Sequence, residues 1–289
     1  MGQRYFWVLN LDAELELEQF PHPFTRPQAI QARIEALWPA LGALVGAGVV
    51  EGPGARGEGL EGRAWCPTPG AQRLLGTYGA TLAPAPRPEV LRWVNHRRFS
   101  FELGANLEGS GYFTELGALR AHLETQPPDW PWLVKRPLSF AGRGRRRMCL
   151  SRLSEADTNY LRSSLQGGEG LLVEPWIERS RDYAIHGQLA ADGTAVSGAP
   201  TVQRIDEHGA WQGSQIAGPA ELPAEERALL LAEAERAARA LSAAGYFGPF
   251  NLDAFAGRDP NGRSVFQPRC EINARYSMGY PVGMGGVIA

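Results

Sequence analysis

Lysine is nearly missing from this 289-residue chain. Of its 29 basic residues 28 are arginine, and Lys135 stands alone. Arginine is a planar fork and lysine a compact point charge, so a lysine that survives such bias marks a place that wants a small cation, such as a phosphate contact. Cysteine is scarce too. Cys66, Cys149 and Cys270 lie far apart and form no CxxC pair, which argues against a disulfide framework or a zinc ribbon and for a reducing cytoplasm. Long apolar runs are missing: Ala40 to Val50 is too short and too broken by glycine to span a bilayer. The first residues turn acidic and show no signal-peptide layout. No basic excess exists either. With 31 acids against 29 bases the net charge is -2, unlike that of a general nucleic-acid binder. The five histidines have no metal spacing, HExxH and GxSxG are missing, and the one lysine has the wrong context for a Walker motif.

What is present is globular composition, 44% hydrophobic and 21% charged, with ample material for a sizeable core. Residues 5–11 read as a strand. Pro27 to Val45 carries apolar residues at three-to-four spacing and predicts one helix. EGPGARGEGLEGR holds two overlapping GxGxxG matches, Gly52 to Gly57 and Gly57 to Gly62. The residues that follow cannot open a helix well, so both matches read as loop and not as a dinucleotide site. Pro84 to Pro88 is a stiff connector. Beyond it, helices are predicted over 89–99 and 113–124, the second with Thr114 placed to cap it. Ser154 and Asp157 form a capping box that starts another helix. Asp192-Gly193 marks a hairpin. Ala224 to Ala244 is the clearest helix, with Leu230, Ala234, Ala237 and Leu241 as its apolar stripe. Two strands close the pattern, 247–255 and 265–276.

Those last strands carry chemistry. Alternate residues of a strand share a face. Glu271, Asn273 and Arg275 therefore lie opposite Cys270, Ile272 and Ala274, while Asn251 and Asp253 lie opposite Phe250, Leu252 and Ala254. One carboxylate beside a Glu-x-Asn pair supplies three hard oxygen donors, a set that suits magnesium with phosphate oxygens and water. A solvated sheet face would show the same alternation.

Four pieces in order resemble the ATP-grasp superfamily: Trp132-Leu133-Val134-Lys135 with Ser139 to Gly144; Leu172 to Ile177 with Asp182; Gly245 to Asp253; and Gln267-Pro268 leading to Glu271-Ile272-Asn273-Ala274-Arg275. The resemblance covers roughly Val94 to Gly279, and its last piece is the most specific. It implies an α+β fold in which two subdomains grasp ATP between antiparallel sheets, preceded by a short α/β N-terminal domain. The expected division is 1–93 for that domain and 94–289 for the ATP-grasp domain, with a lid over about 100–173 and a core over about 174–289. Carried over residue by residue, Lys135 is the lid lysine on the nucleotide phosphates. Ala141, Gly142, Arg143 and Gly144 form the glycine-rich flap. Glu174, Pro175, Trp176 and Ile177 form the adenine hinge: proline has no N–H to give, but its carbonyl is intact and Ile177 can donate. Asp182 meets the ribose. Asp253, Glu271 and Asn273 hold magnesium, and Arg275 meets a phosphate or a substrate carboxylate. The family usually carries a second basic residue before the lid; here Asn95-His96-Arg97-Arg98 leaves that part to Arg97. The region before Pro88 matches no leader domain of the family.

The implied activity is a cytoplasmic carboxylate–amine ligase that uses ATP and Mg²⁺. It would make an acyl phosphate from a small-molecule or peptide carboxylate and pass it to an amine. Neither nucleic acid nor membrane is an expected partner, and a homodimer is compatible with the resemblance. A kinase with a hydroxyl acceptor, or a regulatory module that only binds nucleotide, shares the fold. The joint presence of Asp253, Glu271 and Asn273 argues against the regulatory module. His186 reads as a satisfied structural residue.

Overall fold

The computed structural model describes residues 4–139, 144–205 and 211–285. Its first sheet takes β1 (Tyr5–Val8), β2 (Val49–Val50), β3 (Glu61–Ala64) and β4 (Thr81–Leu82) in the order β2-β1-β3-β4, all parallel. Parallel neighbours need crossover connections. These are α1 (Ala13–Gln19), α2 (Gln28–Glu35) and α3 (Gly42–Val45) between β1 and β2, and α4 (Pro69–Thr77) between β3 and β4. The single helix expected over 27–45 is therefore broken. Pro39 has no N–H to continue it and starts a separate 3₁₀ turn, Trp38–Leu41. The first strand ends at Val8, three residues short of the expected end. The glycine-rich stretch forms turns and bends and runs into β3, so no helix opens on it.

The helix expected over 89–99 is also two: α5 (Pro88–Val94) and α6 (Arg97–Glu102). The break is built by side chains. Asn95 donates to the Leu91 carbonyl at 2.9 Å and accepts the Ala274 N–H at 2.8 Å. His96 caps α6 by accepting the Arg98 N–H on Nδ1 at 3.1 Å.

A second sheet, antiparallel, runs β5-β8-β6-β7, from β5 (Gly111–Phe113), β6 (Pro131–Lys135), β7 (Arg145–Cys149) and β8 (Leu171–Pro175). With α7 (Leu116–Glu124) and α8 (Glu155–Leu165) it closes its own core around Leu119, Trp132, Val134, Leu161 and Val173. The capping box at Ser154 and Asp157 is formed. Thr114 is not the cap of α7: Glu115 holds that position, with no side-chain cap bond.

The third sheet is the largest. β9 (Glu178–Leu189), β10 (Ala195–Ser197), β11 (Thr201–Ile205), β12 (Trp211–Ile216), β13 (Gly248–Arg258) and β14 (Ser264–Asn273) follow the order β12-β11-β9-β13-β14, with β10 on β9. Asp192-Gly193 turns the chain between β9 and β10, with Gly193 at φ 88°. α9 (Ala224–Ala243) buries the expected stripe against one face, and α10 (Tyr280–Met284) packs near the end of the other. The main core joins this sheet to the first one: Trp7, Leu9 and Ile34 belong to the same cluster as Leu230, Leu252 and Ile272. No helix among the described residues is long and apolar enough to cross a membrane.

Candidate functional site

The register of β13 on β14 builds the site. Asp253 pairs with Glu271, and Asn251 with Asn273, across adjacent antiparallel strands. Cross-strand partners on one face lie close enough to interact directly, so the alternation seen in sequence becomes a compact polar cluster. Asp253 accepts from Gln203 Nε2 and Asn251 Nδ2, both at 3.0 Å on Oδ1, and from Asn273 Nδ2 at 3.1 Å on Oδ2. Burial, reinforced by the like charge of Glu271, pushes the Asp253 carboxyl up to about 6. Burial opposes the charge on Glu271 as well. There Arg97, Lys135, Arg275 and Arg179 outweigh it and hold the carboxyl below its usual value.

The face is half-buried, which corrects the alternative of a simple solvated sheet surface. Arg97, on the first turn of α6, is one reason. Its guanidinium reaches Glu271 Oε1 at 3.0 Å and the Arg136 carbonyl at 2.5 Å, and its own N–H donates to the Pro137 carbonyl at 3.0 Å. Helix α6 is thus tied to the end of β6, the strand that carries Lys135. The Lys135 ammonium is buried in an ion pair with the Glu174 carboxylate. Arg275 closes the other end. It donates to Asn273 Oδ1 at 3.1 Å and to the Tyr276 carbonyl at 3.0 Å, and Nε meets Glu14 of α1 at 2.5 Å.

The residues expected to form the hinge continue from β8. The Trp176 N–H is spent on the Pro131 carbonyl at 2.8 Å, while the Ile177 N–H has no hydrogen-bond partner among the described residues. Because Trp176 and Pro131 are hydrogen-bonded, the adjacent Pro175–Trp132 pair is of the other kind, and the Pro175 carbonyl points away from β6. An acceptor and a donor with no partner among the described residues therefore stand two residues apart. Arg147 of β7 lies 4.6 Å over the Trp176 ring. Asp182 faces the same side as Asp253 along β9 and β13 and pairs with Arg179 at 2.8 Å. Gly144 accepts the Arg136 N–H at 2.7 Å and the Tyr160 hydroxyl at 2.8 Å. Ala141, Gly142 and Arg143 lie outside the described residues.

Some contributors were not anticipated. Gln203, on β11, donates to Asp253. Glu14 comes from the region that matched nothing. Asn251 was visible in the alternation with Asp253, though it was not singled out. His186 lies in register with Asn251 on β9, is 1% exposed, and holds Ser277 Oγ at 3.0 Å.

Among the described residues, no group of three or more His, Cys, Asp and Glu is placed to hold a metal. The set here is two carboxylates and an amide oxygen. That is the donor chemistry of magnesium, which takes one or two carboxylates and completes its shell with phosphate oxygens and water.

No protein-family model and no curated protein matches the sequence. Solved structures match the fold. A biotin carboxylase in complex with β,γ-ATP from Campylobacter jejuni superposes with a TM-score of 0.57 and 16% identity over 76% of this chain and 49% of its own. The biotin carboxylase domain dimer of 2-oxoglutarate carboxylase from Hydrogenobacter thermophilus, in complex with MgADP, ADP and bicarbonate, gives 0.54 and 19% over 75% and 47%. Pyruvate carboxylase from Rhizobium etli gives 0.55 and 17% over 98% of this chain and 27% of its own. This is the ATP-grasp fold. The chain spans about half the length of the two biotin carboxylase structures. The second sheet falls mostly within the span expected for the lid, and the third within the span expected for the core. Identities this low speak to the fold and not to the reaction.

Proposed function

We propose that the protein is an ATP- and magnesium-dependent ligase that joins a carboxylate to an amine. The observation that carries this reading is the convergence of Asp253, Glu271 and Asn273 with Lys135 and Arg97 on an ATP-grasp fold. Nucleotide complexes among the similar structures support it. Asp253, Glu271 and Asn273 would hold magnesium, which supplies positive charge at the phosphate oxygens.

The chain's own groups do the rest. Lys135 and Arg97 bring two cations to one end of the acidic pair, where phosphate charge has to be balanced. Pro175 O and Ile177 N–H offer an acceptor and a donor for an adenine edge. The half-buried cleft limits water, which would otherwise hydrolyse a reactive acyl group. A substrate carboxylate oxygen attacks the γ-phosphorus, the bond to the β-phosphate oxygen breaks, and ADP leaves. The amine then attacks the acyl carbon, loses its proton, and expels phosphate. Arg275 sits beside Asn273 with guanidinium hydrogens to spare for the carboxylate. ATP use and three free cysteines fit a cytoplasmic setting.

The test withholds the amine and adds hydroxylamine, with ATP, Mg²⁺ and a panel of carboxylates. A hydroxamate formed together with ADP is the expected result. ADP with a stable phosphoester would mean a kinase instead. AMP and pyrophosphate would contradict the site, because its acidic pair addresses the terminal phosphates.

A further inference from the structure

Glu14 lies outside every motif that pointed to the site. It is only 5% exposed and grips Arg275 from α1. Its Oε1 takes the Arg275 Nε–H, while its Oε2 is buried with no hydrogen-bond partner among the described residues. Guanidinium and carboxylate groups often pair through two parallel bonds; here half of that fork is unused. Arg275 directs its remaining contacts to the Tyr276 carbonyl and to Asn273 Oδ1.

The Asn273 amide has one accepting end and one donating end. Its accepting end faces Arg275, which can only donate. Its donating end faces the Asp253 carboxylate, which can only accept when ionised. These neighbours fix the amide in one orientation. A cation at Asp253 and Glu271 needs oxygen toward it and repels N–H. When the amide turns to offer Oδ1, its N–H groups meet those of Arg275, donor against donor. Arg275 must then release Asn273. The acceptor next to it that has no partner among the described residues is Glu14 Oε2.

We infer that Glu14 is a positioning residue: it receives the Arg275 guanidinium as a two-point fork when the Asn273 amide turns toward magnesium at Asp253 and Glu271. This rests on the metal reading given above. It also gives α1, and with it the first sheet, a part in loading the metal, since Glu14 and Asn273 are joined through one arginine.

Calorimetric titration of Mg²⁺ into the ADP-bound protein tests it. Glu14→Gln keeps the side chain's size and one acceptor but turns the unused acceptor into a donor. Magnesium affinity should fall about ten-fold, the worth of one hydrogen bond to a charged group, with ADP affinity in the absence of metal unchanged. Asn273→Asp presents oxygen at both ends and needs no turn. In that background Glu14→Gln should change magnesium affinity by less than about two-fold, because the coupling has been removed. A merely structural role would give the same loss in both backgrounds, and that result overturns the inference, as does no loss in either. If wild-type protein takes up no Mg²⁺ with ADP bound, the metal reading itself falls and the inference with it. Should Glu14→Gln not fold, the wild-type Asn273 side-chain amide signals, followed by NMR as Mg²⁺ is added to the ADP complex, decide instead. They should shift, and unmoved signals overturn the inference.

Discussion

Removing Lys135 alone would do more than delete the proposed phosphate contact. Its partner Glu174 is buried with it, so Lys135→Ala strands a carboxylate and should cost about 3–5 kcal/mol of stability. The pair can be replaced together. Lys135→Met with Glu174→Leu should restore most of the urea midpoint while nucleotide binding stays lost, and recovered binding would remove the phosphate role from Lys135. His186 gives a second prediction. Burial lowers its imidazole to about 4, against an ordinary value of about 6.5. The unfolded chain therefore binds more protons between those values, and stability is lost as pH falls from about 6.5 toward 4. The loss amounts to about 3 kcal/mol at the acid end. His186→Asn should flatten that part of the pH profile of urea unfolding. An unchanged slope would mean that other groups set it.

At the level of elements, the polar row of 251, 253, 271 and 273 was legible because a strand's period of two needs no tertiary knowledge. The irregularity beside it was not. Asp253 opposes Glu271 while Phe255 opposes Gln267, so a bulge in β14 absorbs Pro268, Arg269 and Cys270 against Ala254 alone. No glycine or turn pair announces it. Strict alternation would set Arg269 beside Glu271; the bulge instead buries it, 2% exposed, on Glu233 of α9. Arg269 also donates to Ser100 Oγ at 2.5 Å and to the carbonyls of Ser100 and Gly104, which anchors α6 and so Arg97. Glu233→Ala should cost on the order of 3–5 kcal/mol in urea unfolding. A cost below about 1 kcal/mol would show that this anchor contributes little. Similar blindness applies to α5 and α6, whose break depends on Asn95 meeting Ala274 across 179 positions. Glu14 was invisible for the same reason, since its partner lies 261 positions away.

The molecule as a whole has its cores arranged unequally. The first and third sheets share one large apolar cluster, with a small further one on the first sheet, whereas the second sheet closes a cluster of its own and, among the described residues, shares none with the third. Opening free energy follows such buried contacts. Hydrogen exchange in mild denaturant should therefore release amides of β5 to β8 before those of β9, β13 and β14. Bound ATP analogue should slow the lid more than the first sheet. Simultaneous exchange of all three sheets, with or without nucleotide, would contradict a second sheet that opens by itself.

The solitary lysine has a consequence for chemistry done on the protein from outside. Reductive methylation attacks uncharged amines, and this chain offers one side chain that can react. That amine is buried in its ion pair with Glu174. A ¹³C-methyl label added with formaldehyde would sit at this buried pair and, the chain's α-amino group aside, nowhere else. The pace at which the label appears would count how often that buried ion pair opens to solvent.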